Sequence, residues 1–130
     1  MGPAVMAIVG VGADVVDLER FRASLERTAG LLDRLFTADE QAYATSAVDP
    51  TERLAVRFAA KEAVVKALAS GLGAARLRDI EVVRAESGAP SLRLHETAAA
   101  LAATHGVAAW HVSLSHSALV AQAFVGAEGL

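Results

Sequence analysis

The spacing of the apolar positions changes along the chain, from helical in the first half to alternating in the second. A Val- and Ile-rich run over residues 4–16 predicts a buried strand at the start. Apolar side chains then recur at helical spacing, which predicts helices over 17–30, 36–48 and 51–68. The last of these has no internal Gly or Pro and is rich in alanine, so it is predicted to be one long helix.

Local signals predict where the first two helices begin and end. Asp17 is an expected N-cap of the first helix, and Gly30 is expected to end it. Its inward-facing residues are expected to be Leu18, Phe21 and Leu25. Thr37 and Glu40 have the spacing of a capping box, which predicts the start of the second helix.

Beyond the third helix the pattern is that of half-buried strands, after a turn predicted at residues 70–73. The predicted elements are strands at 79–85 and 91–95 joined by a turn at 86–90, an Ala-rich helix at 96–106, and strands at 108–114 and 118–126. This order predicts an α+β fold, with a small antiparallel sheet packed with a long central helix and shorter helices. A single domain over 1–130 is expected, with residues 1–4 disordered or left over from cloning.

Composition excludes several functional classes. The chain has 130 residues, 54% of them hydrophobic, and no cysteine, so a disulfide framework and thiolate metal sites are excluded. The net charge of −3 and the absence of a basic run with interleaved aromatics argue against general nucleic-acid binding. No apolar run reaches the roughly 20 residues that span a bilayer, and no signal peptide is visible. A cytoplasmic protein is expected.

The long helix carries its charges in an unusual arrangement. At roughly 100° per residue, Glu62 and Lys66 form one charged stripe, and Arg57 and Lys61 form another. Bulky apolar residues, Phe58 among them, lie between the stripes, so burial of the apolar surface would bring both stripes close to a packed interface. The alternative is an ordinary exposed i,i+4 pair between Glu62 and Lys66.

The first strand places two glycines and an aspartate on one face. By two-fold alternation Gly10, Gly12 and Asp14 point the same way, together with Ile8. Glycines in a strand often mark the close approach of another backbone or of a ligand. Asp14 could instead be an ordinary cap or turn residue. A dinucleotide-binding fingerprint is set aside, because GVGADV lacks the third glycine and its Asp would repel a pyrophosphate unless a cation lay between them.

The segment WHVSLSHS, residues 110–117, places His116 at a strand end among hydroxyl groups. It lacks the Gly-x-Ser-x-Gly elbow of a serine hydrolase, and a turn histidine explains it more simply. The four histidines lie on different elements or faces, so zinc finds no support. One Asp and one Glu with nearby Lys and Arg suit Mg²⁺, which takes one or two carboxylates and completes its shell with water and substrate phosphates.

Four segments together resemble a known family. VGVGADVVDLERF, LFTADE, RFAAKEAVVKAL and HVSLSHS occur in the order found in bacterial holo-acyl-carrier-protein synthases, which are 4′-phosphopantetheinyl transferases. The resemblance runs from about residue 8 to residue 125. Two departures are mild: Ala13 is smaller than the family's usual residue, and Ala69 stands where Gly is frequent. Neither is an expected ligand.

The resemblance implies a Mg²⁺-dependent transfer of phosphopantetheine from coenzyme A to a serine of apo acyl carrier protein. It implies that Asp14 and Glu62 hold Mg²⁺ and that Lys66 acts on the leaving phosphate. The residues implied to hold the phosphates of coenzyme A are Arg57, Lys66, His116 and Ser117. It also implies a homotrimer with active sites in the clefts between neighbours.

Three points stay open at the level of sequence. The serine hydroxyl needs a base, which could be Glu62 acting through a water or Glu40. The acidic carrier needs a basic patch, for which Arg20 and Arg27 on the first helix are the candidates, extended by Arg34 if the helix continues. The alternatives to an enzyme are a trimeric module that binds coenzyme A without transfer and, with less support, a structural trimer. Neither explains why Asp14, Glu62 and Lys66 coexist with SLSHS.

Overall fold

The computed structural model describes residues 5–70 and 73–130. Its elements, in chain order, are β1 (Ala7–Asp17), α1 (Leu18–Arg27), α2 (Leu31–Leu35), α3 (Ala38–Thr45), α4 (Thr51–Ala67), a 3-10 turn (Leu77–Asp79), β2 (Ile80–Arg84), β3 (Pro90–Leu94), α5 (Glu96–Thr104), β4 (Val107–His116) and β5 (Val120–Gly129). The predicted α+β fold is confirmed. Residues 1–4, and the middle of the turn predicted at 70–73, lie outside the described residues. No helix in the described ranges is long and apolar enough to cross a membrane.

The strands form two antiparallel sheets. One has the order β1-β5-β4, so the last strand lies between the first and the fourth, and the other is the β2-β3 hairpin. In the larger sheet Gly12 pairs with Val125 and Asp14 with Ala123. Both C-terminal strands differ from the prediction. Strand β4 continues through Ser115 and His116, which were expected to lie in the turn, and β5 begins at Val120 and continues to Gly129.

Helix α4 packs against β1 at its two glycines. A Cβ on Gly12 would lie only 2.9 Å from the carbonyl carbon of Ala63 and from the amide nitrogen of Ala67, and closer still to the Ala63 oxygen. A Cβ on Gly10 would lie 3.0 Å from the Ala67 carbonyl carbon. The close approach predicted from these glycines is therefore that of a helix backbone.

The core is built around α4 because its small side chains allow neighbours on several sides. Most of the helix is buried, and Ala55, Ala59, Ala60 and Ala63 are fully so. Three aromatic rings pack together beside this helix. Phe21 stacks on Phe58 at 5.2 Å between centroids and meets Phe36 edge-on at 6.3 Å.

The helix ends agree with the sequence signals in most places. Asp17 caps α1 by accepting a hydrogen bond from the Arg20 amide at 2.9 Å, and Thr37 and Glu40 form both bonds of the capping box. Leu18 and Phe21 are buried, as expected. The predicted end of α1 at Gly30 is wrong. The helix stops at Arg27, and Gly30, with φ of 79°, precedes the short helix α2 that was not predicted.

Lys61, which the sequence places on one charged stripe with Arg57, is wholly buried. Lys61 donates to the Glu40 carboxylate at 2.8 Å, to the Leu77 carbonyl at 3.1 Å and to the Ile80 carbonyl. Burial lowers the pKa of Lys61, and the nearby charge of Glu40 partly offsets that effect. Lys61 therefore does lie at a packed interface, as the charge pattern predicts, and its partner there is an internal carboxylate.

Candidate active site

Asp14 and Lys66 meet where β1 crosses α4. The Lys66 ammonium donates to Asp14 Oδ1 at 3.0 Å and to the Ala13 carbonyl at 2.9 Å. The Lys66 side chain is 54% exposed, whereas that of Asp14 is only 18% exposed. Asp14 lies inside the strand, so the alternative reading of it as a cap or turn residue is wrong. The ion pair of Lys66 is with Asp14, and it ties the helix to the strand.

Glu62 lies beside this pair, one turn before Lys66 on α4. Its pKa is raised, first by burial and then by the negative charge of Asp14, while Lys66 lowers it. The structure therefore brings together Asp14, Glu62 and Lys66, the three residues that the sequence predicts to act on the pyrophosphate. They form a local excess of negative charge, with two carboxylates against one ammonium.

A groove of about 450 Å³ begins at the two carboxylates and runs along α1 and α2. Its lining residues are Asp14, Val15, Val16, Asp17, Arg20, Phe21, Ser24, Leu31, Leu35, Phe58 and Glu62. One end is acidic and the far wall is apolar. Arg20 lies on the rim of the groove and is the only basic residue among those lining residues.

A second cavity, of about 550 Å³, lies on another side of α4. Its lining residues are Tyr43, Glu52, Arg53, Val56, Arg57, Arg84, Gly88, Pro90, Val112, Ser113, Leu114 and His116. His116 Nδ1 lies 3.2 Å from a carboxylate oxygen of Glu52. Arg57 is 5% exposed, and burial is the main cause of its lowered pKa. The cavity thus joins Arg57 with His116, two of the residues expected to hold phosphates.

The two cavities are separated by the helix itself. Arg57 precedes Glu62 by five residues and Lys66 by nine, which places it about 140° and 180° away from them around the axis. In the described part of the chain the two cavities share no lining residue. One chain therefore does not bring Arg57 and His116 into the same cavity as Asp14 and Glu62.

Ser117 lies in the turn between the last two strands, as expected, and forms hydrogen bonds there that the sequence does not predict. Its hydroxyl oxygen accepts hydrogen bonds from the amides of Leu119 and Val120, both at 3.2 Å, and its own amide donates to the Val120 carbonyl at 2.9 Å. It shapes the turn between β4 and β5, and it is not among the lining residues of the cavity that contains His116. A role for Ser117 in phosphate binding stays a prediction.

The basic residues predicted for the carrier protein are exposed on α1. Arg20 lines the groove, and Arg27 lies at the end of the same helix with its side chain 3.5 Å from the Ser24 hydroxyl. Arg34 belongs to α2, so the condition for including it in one helical stripe is not met.

The sequence reasoning missed the residues that accompany Arg57. Arg53 precedes it by one helical turn, and Tyr43 and Arg84 come from α3 and β2. The spacing of Arg53 and Arg57 is visible in the sequence, but nothing there indicates that Tyr43 and Arg84 join them. No group of three or more His, Cys, Asp or Glu residues that could hold a metal occurs in the described ranges.

Comparisons with known proteins identify the family of this chain. The chain matches the family model described as the 4′-phosphopantetheinyl transferase superfamily over residues 10–123. A relative from Frankia casuarinae, named holo-[acyl-carrier-protein] synthase, is 54% identical over 95% of this chain and 99% of its own. One of the same name from Streptomyces avermitilis is 54% identical over 95% and 100%.

Solved structures of the same name share the fold. An ACPS–CoA complex from Chronobacterium ammoniagenes has a TM-score of 0.82 at 28% identity, over 98% of this chain and 99% of that one. A holo-(acyl-carrier-protein) synthase from Bacillus anthracis, in complex with CoA (3′,5′-ADP), has a TM-score of 0.79 at 33% identity, over 97% and 100%. The chain belongs to the 4′-phosphopantetheinyl transferase superfamily and is an enzyme of its holo-[acyl-carrier-protein] synthase type.

Proposed function

We propose that this enzyme transfers the 4′-phosphopantetheine group of coenzyme A to a serine of an apo acyl carrier protein and releases adenosine 3′,5′-bisphosphate. The observation that carries the proposal is the meeting of Asp14, Glu62 and Lys66 at the mouth of a groove. Phosphoryl transfer depends on positioning the reactants and neutralising their charge, and carboxylates that hold a metal and an ammonium group can do both. The names of the relatives, and the coenzyme A held by two solved relatives, support the substrates.

The donor set at this site fits Mg²⁺. Asp14 and Glu62 offer hard oxygen ligands, no His or Cys competes beside them, and two carboxylates leave most of the shell to water and substrate phosphate. Both carboxylates line the same groove, and the negative charge of Asp14 raises the pKa of Glu62, a repulsion that a cation bound there would relieve. When bound there, Mg²⁺ would supply Lewis-acid neutralisation of the pyrophosphate.

In the reaction that follows from this assignment, the serine oxygen attacks the phosphorus that carries pantetheine. The new P–O bond forms as the bond to the bridging oxygen breaks, and the adenosine bisphosphate leaves with that oxygen. Lys66 stabilises the negative charge that develops on the leaving phosphate, and its exposed ammonium is within reach of a substrate in the groove mouth. The serine proton passes to a carboxylate.

We assign that proton acceptor to Glu62, acting through a water, because Glu40 is already engaged. Glu40 is 2% exposed and accepts hydrogen bonds from Lys61 at 2.8 Å, from the Thr37 amide at 2.9 Å and from the Val82 amide at 3.0 Å. A carboxylate held in this way serves the fold. Glu62, by contrast, lines the groove beside Asp14.

The nucleotide half of coenzyme A is assigned to the other cavity, where Arg57 and His116 lie. Because that cavity and the groove are on different sides of α4, one substrate would have to be held by the carboxylates of one copy and by the arginines of its neighbour. Ser117 is kept as a hydroxyl donor at the same strand end. Its amide is engaged with the Val120 carbonyl and its oxygen accepts two bonds in the turn, which leaves the hydroxyl proton to donate to a phosphate.

The larger sheet offers a surface on which copies could assemble. Gly12 and Val16 face α4, so alternation directs Val11 and Val15 to the opposite face, where they are 56% and 61% exposed. Phe124, which pairs with Ala13, lies on that same face and is 49% exposed. Contiguous exposed apolar residues of this kind indicate an interface. We propose a homotrimer, following the family resemblance, with a mass of about three times 13.4 kDa in light scattering.

The carrier protein is assigned to α1 and the groove beside it. Arg20 and Arg27 offer positive charge to an acidic partner, and the groove leads from Arg20 to the carboxylates. A serine presented on the rim of this groove would therefore reach Asp14 and Glu62. The apolar wall formed by Leu31, Leu35 and Phe58 lies along the same path.

The test is to incubate the protein with coenzyme A, Mg²⁺ and an apo carrier protein, and to weigh the carrier by mass spectrometry. The carrier should gain one phosphopantetheine, and Glu62→Gln should lose most of the rate and alter its Mg²⁺ dependence. Glu86→Gln, in the exposed turn between β2 and β3, is the matched control and should keep the wild-type rate. Binding of coenzyme A without any gain in carrier mass would favour a binding module and reject the transfer.

A further inference from the structure

Lys66 holds the carboxylate that the proposed function assigns to the metal. Its ammonium donates to Asp14 Oδ1 at 3.0 Å and to the Ala13 carbonyl at 2.9 Å. Glu62, one helical turn earlier, has the i,i+4 spacing of an ordinary partner for Lys66. In the described part of the chain, however, no ion pair involves Glu62. Asp14 is therefore neutralised by a side chain of the protein itself, whereas Glu62 is not.

The ammonium and a metal ion would compete for Asp14. Both are cations, and on the two oxygens of one carboxylate they would lie close enough to repel each other strongly. Mg²⁺ binds carboxylate oxygen at about 2.0–2.1 Å and demands near-octahedral geometry, so it leaves little room for a second cation on the same group. In the metal-free protein, Lys66 thus supplies the positive charge that Mg²⁺ would bring to Asp14.

The surroundings of Lys66 allow it to leave Asp14. Its side chain is 54% exposed and carries its charge on a flexible four-carbon stem. An ion pair this exposed contributes little to stability, so breaking it costs little. Lys61, the other lysine of the chain, is the opposite case, because it is fully buried and held by Glu40 and two backbone carbonyls. Of the two lysines, Lys66 is the one placed for exchange.

Backbone contacts hold β1 against α4 independently of this ion pair. Gly12 lies so close to the helix that a Cβ on it would be 2.9 Å from the Ala63 carbonyl carbon and from the Ala67 amide nitrogen. These contacts involve backbone atoms and no charged side chain. Asp14 follows Gly12 by two residues and lies on the same face of the strand. Its carboxylate therefore stays beside Glu62 when the ammonium moves away.

Building on the proposed function, we propose that the Lys66 ammonium and Mg²⁺ exchange at Asp14, so that metal binding releases the ammonium for catalysis. Without the metal, Lys66 neutralises Asp14, and its own charge is neutralised in return. With the metal on Asp14 and Glu62, the ammonium is unpaired and can bind a phosphate of coenzyme A. The exchange makes and breaks no covalent bond. It keeps the catalytic cation occupied until the metal is in place.

The first test measures metal affinity, with Mn²⁺ as the probe and electron paramagnetic resonance as the readout, in the absence of coenzyme A and carrier protein. Lys66→Met removes the competing cation and should tighten Mn²⁺ binding about threefold to fivefold, the range that an exposed ion pair allows. Arg20→Met is the matched control, because it removes a positive charge from the same groove but none from Asp14. At physiological salt it should change the affinity by less than about twofold, since screening weakens distant charges. Equal affinities of wild type and Lys66→Met, or no binding to either, would overturn the exchange.

The second test follows the ammonium itself. Because the chain has two lysines, protein labelled with ¹³C at the lysine ε-carbon gives two lysine signals in NMR, and Lys66→Met shows which one belongs to Lys66. Mg²⁺ alone should move the Lys66 signal towards its position in Asp14→Ala, which lacks the carboxylate, and should leave the Lys61 signal in place. Asp14→Ala itself should not respond to Mg²⁺. A Lys66 signal that stays in place at saturating Mg²⁺ would contradict the exchange.

The two proposals fail in different ways. A wild-type protein that modifies the carrier, but whose Lys66 signal does not respond to Mg²⁺, would reject the exchange and leave the transfer standing. A protein whose Lys66 signal moves with Mg²⁺, and whose Lys66→Met variant binds Mn²⁺ more tightly, but which leaves the carrier unmodified, would support the exchange and reject the transfer.

Discussion

Lys61 and Lys66 lie five residues apart on α4 and have opposite surroundings, so one substitution made at both sites should separate folding from chemistry. Lys61 is fully buried, and its ammonium is held by Glu40 and two backbone carbonyls. The Lys66 side chain is half-exposed at the mouth of the groove and pairs with Asp14. We expect Lys61→Met to lose stability and Lys66→Met to lose activity.

The size of each effect follows from burial. Lys61→Met leaves the Glu40 carboxylate buried without its cation, and breaking such a buried pair costs about 3–5 kcal/mol. That is a large part of the roughly 5–15 kcal/mol by which most proteins are stable. Lys66→Met removes an exposed pair, which contributes only about 0–1 kcal/mol. Its transfer rate should nevertheless fall, because no ammonium remains to stabilise the leaving phosphate.

The assay is urea unfolding at one fixed protein concentration, since the proposed assembly would make the apparent stability depend on concentration. Initial transfer rates are measured on the same samples in the absence of urea. Adding Glu40→Gln to Lys61→Met should recover part of the lost stability, because it removes the unpaired charge. A Lys61→Met protein as stable as Lys66→Met, or a double variant no more stable than Lys61→Met alone, would refute this account of the buried pair.

Three further changes test other parts of the structure. Gly12→Ala should lower the free energy of unfolding by about 1–3 kcal/mol and slow the transfer, because a Cβ there displaces the helix that carries Glu62. An unchanged melting temperature would contradict this prediction. The Arg22 guanidinium lowers the pKa of Asp49 from 3.8 to about 2, so the stabilisation is present above pH 3.8 and lost as pH falls through about 2. Asp49→Asn should therefore have a lower melting temperature than wild type at neutral pH, and this difference should disappear in acid. A difference that grows in acid would contradict the predicted direction of the effect. Arg20→Glu should raise the KM for carrier protein at low salt and flatten its salt dependence, with Arg93→Glu as control, and an unchanged KM would move the docking surface elsewhere.

Signals confined to a few neighbouring residues were predictable from the sequence. The capping box at Thr37 and Glu40 and the Asp17 cap depend on local backbone chemistry, and both are confirmed. The close approach at Gly12 is also confirmed, although the sequence does not identify α4 as the element that approaches. Helix α2 was not predictable in this way, because five residues are too few to establish a helical period.

Partners distant in sequence were not predictable from spacing. Lys61 and Glu40 are 21 residues apart, and nothing in the periodicity of α4 distinguishes the lysine that is buried in the core from the exposed one that pairs with Asp14. The angular separation of Arg57 from Glu62 was visible from 100° per residue, yet both were expected at one ligand. The proposed trimer would reconcile the two observations, because the family resemblance implies that each site lies between neighbouring copies.

That arrangement makes a prediction that no single-chain site could satisfy. Glu62→Gln and Arg57→Ala should each be nearly inactive alone, because each removes one half of every site. In randomly mixed trimers from co-expression, a site is intact when one copy supplies Glu62 and its neighbour supplies Arg57, which happens at about one interface in four. The mixture should therefore regain about a quarter of wild-type activity, measured as transfer rate per chain. This value applies to a cyclic assembly in which each interface holds one independent site. If both residues served a substrate within one chain, every chain in the mixture would carry one defect, and the mixed protein would be as inactive as its parents.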